Sequence, residues 1–131
     1  MKTLKKYDIL VFNSQQGTVV IEMEIIKSET SDKENSYKYV LKVQDKQIGF
    51  GYIFNREINP IEIYIDKENQ SYGYGKFLFN ALVKEAKIQG IKGMIFELNE
   101  NQYRIITIIL QAGAVHFGKH NYKVKLMLKL L

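Results

Sequence analysis

Between Val19 and Ile65 the apolar residues recur at every second position. Val19, Ile21, Met23 and Ile25 form one series, and Tyr37, Tyr39, Leu41 and Val43 a second. Ile48, Phe50, Tyr52 and Phe54 follow, then Ile61, Ile63 and Ile65. A period of two puts alternate side chains on one face of an extended chain, so each series predicts a strand. Asp45-Lys46 reads as a tight hairpin turn, and Asn55 to Pro60 as a longer one. Strands joined this closely pair antiparallel, so the first half predicts a meander. The stretch from Tyr7 to Phe12 predicts an extra strand ahead of it, and SETSDKENS (28 to 36) reads as a polar loop.

After Gly73 the period changes. Phe77, Leu78, Ala81, Leu82 and Ala86 share one helical face, Lys84 and Lys87 fall elsewhere, and Gly90 supplies a stop. The spacing predicts a helix of about four turns. GMIFELN (93 to 99) predicts a short strand, and Asn99 with Gln102 has capping-box spacing for a second helix ending near Gly113. That helix is rich in isoleucine, so packing must hold it more than propensity does. The tail predicts a strand at Val115 to Phe117, a turn near His120-Asn121, and a last strand in which Val124, Leu126, Leu128 and Leu130 alternate with Lys125, Met127 and Lys129. A strand, helix, strand crossover from Ile61 to Asn99 implies a locally parallel pair within an otherwise antiparallel sheet. Two parallel strands followed by helices leave a ligand crevice at their carboxyl ends. The expected class is mixed α/β (α+β), with a mostly antiparallel central sheet flanked by helices.

Composition narrows the function classes. A chain of 131 residues is the size of one domain, with 46% apolar and 25% charged residues, so residues 1–131 are expected to share one core and not to be disordered. The absence of cysteine removes disulfides, thiolate zinc sites and thiol nucleophiles together, and fits a reducing compartment. The apolar run Ile9 to Phe12 is too short for a signal peptide, and no run approaches the ~20 residues of a membrane span. A soluble, cytoplasmic protein is expected. The net charge of +5 comes from scattered lysines without an arginine-rich block, a pattern that does not point to nucleic acid but suits an anionic ligand such as a phosphorylated cofactor. His116 and His120 lie in a turn region with no cysteine nearby, so no metal site is expected.

The most informative stretch is NQSYGYGKFLF (69 to 79), where a strand must turn into a helix through Gly73 and Gly75. Glycine reaches positive φ at no steric cost and admits close approach to the backbone. The unpaired N–H groups and dipole of a helix start favour an anion. The stretch is not a P-loop, since Gln70 and Phe77 occupy positions that motif needs as Gly and Ser or Thr. Nor is it a dinucleotide fingerprint, whose third glycine is here Leu78.

Gln70-Ser71-Tyr72-Gly73-Tyr74-Gly75 does fit Q/R-x-x-G-x-G/A, and IYIDKENQSYGYGKFLFNAL resembles the strand, loop and helix of the acetyl-CoA motif in the GNAT superfamily of N-acetyltransferases. The element order from about residue 37 to 131 is similar to that family's as well. The resemblance implies a GNAT-like fold with a splayed parallel strand pair, acetyl-CoA as cofactor, and direct acetyl transfer to an unidentified amine without a covalent enzyme intermediate. It implies that the backbone of Ser71, Tyr72, Gly73, Tyr74, Gly75 and Lys76 cradles the pyrophosphate, with Gln70 at the loop's start. Ile63, Tyr64 and Ile65 would pair with the pantetheine arm, and Asn101 is the nearest match to an asparagine that opens the next helix.

Chemistry adds a base. An amine must be neutral to attack a thioester, and deprotonating a lysine-like amine is worth roughly 4 kcal/mol at pH 7. Glu62, on the face opposite Ile61, Ile63 and Ile65, is the candidate, with a proton relay through water as its rival. A backbone N–H of the splayed strand can serve the oxyanion. Two departures from the family's pattern stand out. Ile109 occupies the position where many members carry a tyrosine acid, and Tyr103 does not match it. Residues 14–36 offer the β-branched run TVVIEMEIIK and a polar loop in place of two helices, so the N-terminal region is expected to be atypical and the acceptor site open. An open site suits a protein or peptide acceptor or a homodimer whose second subunit completes the wall. It equally suits the alternative, a non-catalytic acyl-CoA-binding or protein-interaction module.

Overall fold

The computed structural model describes residues 2–13, 17–28, 36–70 and 72–130, and of residues 2–13 and 17–21 the backbone alone. Strands β1 (Lys2–Asn13), β2 (Gly17–Lys27), β3 (Tyr37–Val43), β4 (Lys46–Ile53) and β5 (Ile61–Ile65) pair in chain order as a five-stranded antiparallel sheet. Each alternating series lies in its own strand, except that Phe54 falls one residue beyond β4, and the extra strand runs well past the expected Tyr7 to Phe12. The TVVIEMEIIK run, where the family's pattern has helices, is the body of β2. Of the expected polar loop, residues 29–35 lie outside the described residues. The β3–β4 turn is Gln44-Asp45, one residue earlier than expected. Both have positive φ, 51° and 64°, the two-residue geometry whose twist matches its flanking strands. Lys46 is thereby freed to pair with Val43.

Helix α1 (Tyr74–Ile88) is followed by β6 (Gly93–Asn99), α2 (Tyr103–Gln111), β7 (Val115–His120) and β8 (Lys123–Lys129). The three strands form a second antiparallel sheet in the order β6-β8-β7. The expected mostly antiparallel sheet with a splayed parallel pair is present, its strands paired as two ladders that meet at that pair. Among the described residues no ladder joins β5 to β6, and a single bridge of parallel sense, Ile58 to Ile95, sits just ahead of β5. Beyond that bridge the strands diverge.

The core forms where α1 packs between the sheets. Ile25, Tyr39 and Leu41 from the first sheet, Leu78, Phe79, Leu82 and Ala86 from α1, and Met94, Phe96, Leu126 and Leu128 from the second belong to one buried cluster. β4 turns Gly49 and Gly51 toward this layer. A Cβ on Gly51 would lie 2.8 Å from Leu82 Cδ1, so the missing side chain is what lets the helix approach.

Both helices end as the glycines foretold. Gly90 has φ 91°, with its N–H bonded to Lys87 O and that of Ile91 to Ala86 O, both at 3.0 Å. Gly113 closes α2 in the same way, with bonds to Leu110 O and Ile109 O. This pairing satisfies carbonyls that a helix end leaves open. At the start of α2 the expected Asn99 cap gives way to Gln102, although the Gln102 side chain still accepts a bond from Asn99 N (3.0 Å), half of a capping box. Strand pairing explains the delay: Glu100 N is bonded to Tyr122 O at 2.7 Å, so the chain cannot yet coil.

Candidate functional site

The divergence of β5 and β6 opens a cleft of about 1170 Å³, roofed by the start of α1 and by α2. Backbone bonding decides what its walls offer. The bonds Phe54 N to Pro60 O and Asp66 N to Ile48 O bracket the β4–β5 ladder. Between them the antiparallel alternation turns the backbone groups of Glu62 and Tyr64 toward β4, and those of Ile61, Ile63 and Ile65 toward the cleft. On the other wall, the bracketing bonds Leu130 N to Lys92 O and Glu100 N to Tyr122 O turn Ile95, Glu97 and Asn99 inward.

Asn59 closes the narrow end. Its N–H donates to Ile95 O (2.8 Å), its side-chain nitrogen donates to Glu97 O (3.0 Å), and its side-chain oxygen accepts from Glu97 N (2.9 Å). The β6 edge is thus occupied at Ile95 O and Glu97, while the β5 edge stays open at Ile61 and Ile63.

At the wide end lies the start of α1. Gly73 holds φ 84° at the N-cap with open space around its α-carbon, so it is glycine for its dihedral. Gly75 faces the apolar wall of the cleft: a Cβ there would make ordinary contact, 3.4 Å from Ile108 Cδ1 and 3.7 Å from both Ile63 and Ile65. Tyr74, Gly75 and Lys76 occupy the first turn, where N–H groups have no intrahelical acceptor, and Gly73 supplies no side-chain cap. Gln70 donates to Ile65 O (3.1 Å) and accepts from Arg104 Nη1 (3.3 Å), which brings a guanidinium from α2 across to this end. Lys76 is the second cation lining it.

On the sheet face away from α1, Glu62 accepts hydrogen bonds from Arg56 Nη2 on one oxygen and from the Tyr64 hydroxyl on the other. That bond to Glu62, followed by desolvation, pushes the Tyr64 hydroxyl from about 10 up to about 12. Arg56 is fixed in turn: its Nε donates to Asn59 O (3.0 Å), and its guanidinium carbon lies 4.0 Å from the centre of the Phe54 ring. The rings of Tyr64, Phe50, Tyr52 and Phe54 run in sequence along this face, 5.0, 5.9 and 5.3 Å apart.

Of the residues singled out in the sequence, Glu62, Ile63, Tyr64, Ile65, Gln70, Gly73, Gly75, Lys76 and Asn101 line this one cleft. Tyr72 and Tyr74 are not among the lining residues: Tyr72 is 71% exposed and Tyr74 packs on the core. Ser71 lies outside the described residues. Ile109 is buried in the core, and Tyr103, 64% exposed, stands on the cleft rim. Sequence reasoning missed Asn59, Arg56 and Arg104. Asn59 and Arg56 sit in a turn whose residue types signal only a turn, and Arg104 carried no spacing signal of its own.

No family model matches the sequence, and no curated protein matches it. Solved structures do. An acetyltransferase from Bacillus subtilis in complex with CoA superposes with a TM-score of 0.68 at 14% identity, over 83% of this chain and 99% of that one. Spermidine N-acetyltransferase from Vibrio cholerae, in complex with CoA and spermine, gives 0.62 at 14% identity over 75% and 68%. A structure from Acinetobacter baylyi gives 0.60 at 16% identity, and there the chain spans only 64% of the other's length. The fold is therefore GNAT-like, as the sequence led us to expect. Among the described residues no helix is long and apolar enough to cross a membrane.

Proposed function

We propose that the chain binds acetyl-CoA in the cleft between β5 and β6 and transfers its acetyl group to an amine. The observation that carries this reading is the meeting, in one cleft, of a helix start with unpaired N–H groups and an open strand edge. The cations Lys76 and Arg104 stand at the helix end, the carboxylate Glu62 farther along. The groups fit the ligand: the first-turn N–H groups of α1 with Lys76 and Arg104 suit a pyrophosphate, and the Ile61 and Ile63 edge suits an extended amide-bearing arm. Acetyl-CoA supplies an acetyl group already activated as a thioester. The likeness to acetyltransferases solved with CoA supports the choice of ligand.

The chain's own part is to place and deprotonate. A carboxylate has about four acceptor sites, so Glu62 can accept from an incoming ammonium while keeping its bonds to Arg56 and Tyr64. In that role it takes the amine's proton, directly or through water, while the amine nitrogen bonds the acetyl carbon. An inward N–H of β5 would stabilise the developing oxyanion, and the C–S bond breaks to release CoA as a thiolate that takes a proton from solvent. We read residues 1–131 as one domain working in the cytoplasm, with the acceptor either a small molecule, a peptide or a protein, and with a second copy able to complete the acceptor wall.

The test is thermal. Acetyl-CoA at a hundredfold over its Kd adds about 2.7 kcal/mol of stability if it binds the native state alone. Gly73→Glu, which sets a carboxylate at the anion cradle, abolishes the response. A wild type that shows no response ends the reading. Ile109, buried where a tyrosine acid would stand, favours a second reading, a module that binds acyl-CoA without turning it over. Binding without thiol release across a panel of amines and peptides decides for it.

A further inference from the structure

Three hydrogen bonds join Asn59, just ahead of β5, to the inward backbone groups of β6. Each of its four polar groups is used: N–H to Ile95 O, side-chain oxygen and nitrogen to the two backbone groups of Glu97, and C=O to Arg56 Nε at 3.0 Å. The side-chain amide carries one donor group and one acceptor, as a peptide unit does, so it completes β6 as a single residue of a neighbouring strand would. It can do so because the residue sits at φ 52°, a left-handed conformation that asparagine tolerates better than most side chains. Its carbonyl meanwhile fixes Arg56, which holds Glu62, which accepts from Tyr64. One residue thus ties the far wall of the cleft to the carboxylate on the near wall.

We propose that Asn59 is a positioning residue, a clamp that sets the separation of β5 and β6 and, through Arg56, the aim of Glu62. By occupying Glu97 N–H and C=O it also leaves Ile61 and Ile63 of β5, among the described residues of the cleft walls, as the edge offered to an extended ligand. The part of this inference that concerns ligand rests on the acetyl-CoA reading; the clamp itself does not.

Two variants separate the clamp from a general loss of stability. Asn59→Gly keeps the left-handed backbone and deletes both side-chain bonds. Asn59→Asp keeps an acceptor for Glu97 N–H but sets a second oxygen against Glu97 O. Since the chain has no cysteine, spin labels can be placed at Lys67→Cys beyond β5 and Glu100→Cys beyond β6 without background. The wild type is expected to give one narrow distance distribution, and both variants a broader one. Amide exchange at Glu97 rises by about tenfold or more in Asn59→Gly and stays slow in Asn59→Asp, while exchange at Phe96, bonded to β8, is unchanged in both. If wild type binds acetyl-CoA, the Kd weakens about tenfold or more in Asn59→Gly, in line with two lost anchoring bonds. Unchanged label distances in both variants, or unchanged Glu97 exchange in Asn59→Gly, overturn the clamp; should Asn59→Gly not fold, the Asn59→Asp distances decide alone. A wild type that ignores acetyl-CoA while the variants broaden as expected sinks the ligand reading and leaves the clamp standing. If the wild type binds, an unchanged Kd with altered distances overturns the positioning role and reduces Asn59 to a structural tie.

Discussion

The Tyr64 hydroxyl donates to the carboxylate of Glu62, its neighbour two positions back on the same face of β5. A phenol held in this way gives up its proton late, and Tyr64 is pushed up to about 12, first by that bond and then by burial. Tyr39 reaches about 12 by a different route, chiefly desolvation in the core. Both folded values exceed the unfolded one of about 10. Their stabilising contribution is therefore complete below pH 10 and is lost as pH rises through 12. Absorbance titration of the folded protein should show two tyrosines ionising late. Tyr64→Phe removes one of them, and Glu62→Gln brings Tyr64 back toward 10.

Arg56 holds Glu62 and is itself held by Asn59 O and the ring of Phe54. If Glu62 is the base, Arg56→Lys, which lacks the planar fork, should lower kcat about tenfold and leave the KM for acetyl-CoA near its wild-type value. Steady-state kinetics with a responsive amine measures the split, and a change confined to KM would refute the assignment.

Arg104 reaches Gln70 from α2 and stands beside the start of α1. Arg104→Ala should weaken acetyl-CoA binding by about tenfold, the scale of one charge-assisted contact, and flatten its dependence on ionic strength. Calorimetric titration at two salt concentrations distinguishes this from a general loss of fold, which would not be salt-linked.

Gly49 and Gly51 of β4 have no room for a methyl group. A Cβ on Gly49 would lie 2.6 Å from Tyr64 O, and one on Gly51 2.8 Å from Glu62 O, both rigid backbone atoms. Either glycine changed to alanine should cost about 1–3 kcal/mol by overpacking, read from urea denaturation.

Much of this architecture was legible before any coordinates. Alternation found β2, β3, β4, β5 and β8, because the period of two survives wherever one face is buried, as at Ile61, Ile63 and Ile65. The switch to helical spacing after Gly73 located α1, and Gly90 and Gly113 marked two helix ends through their need for positive φ. The face of β4 was less legible: Phe50 and Tyr52 carry the apolar signal, yet it is Gly51 that meets Leu82 of α1. A glycine signals nothing on a hydrophobicity scale, although its absence of bulk is what that packing requires. The site divided similarly. The glycine loop and Glu62 announce themselves by type and spacing, whereas Asn59 acts through bonds to residues far along the chain and Arg56 through local bonds that a turn's residue types do not signal. Asn59 donates to Glu97, 38 positions away.

The order of pairing in the two sheets also has a history written into it. Every strand from β1 to β5 pairs with its neighbour in sequence, so that sheet can grow hairpin by hairpin at little cost in loop closure. β6 must instead wait for β8, with α2 and β7 between them, before its sheet exists. The cleft belongs to neither half and comes into being when the halves dock at Asn59. It is thus a late product of folding, and pulse-labelled exchange should find the β3–β4 amides protected before that of Glu97.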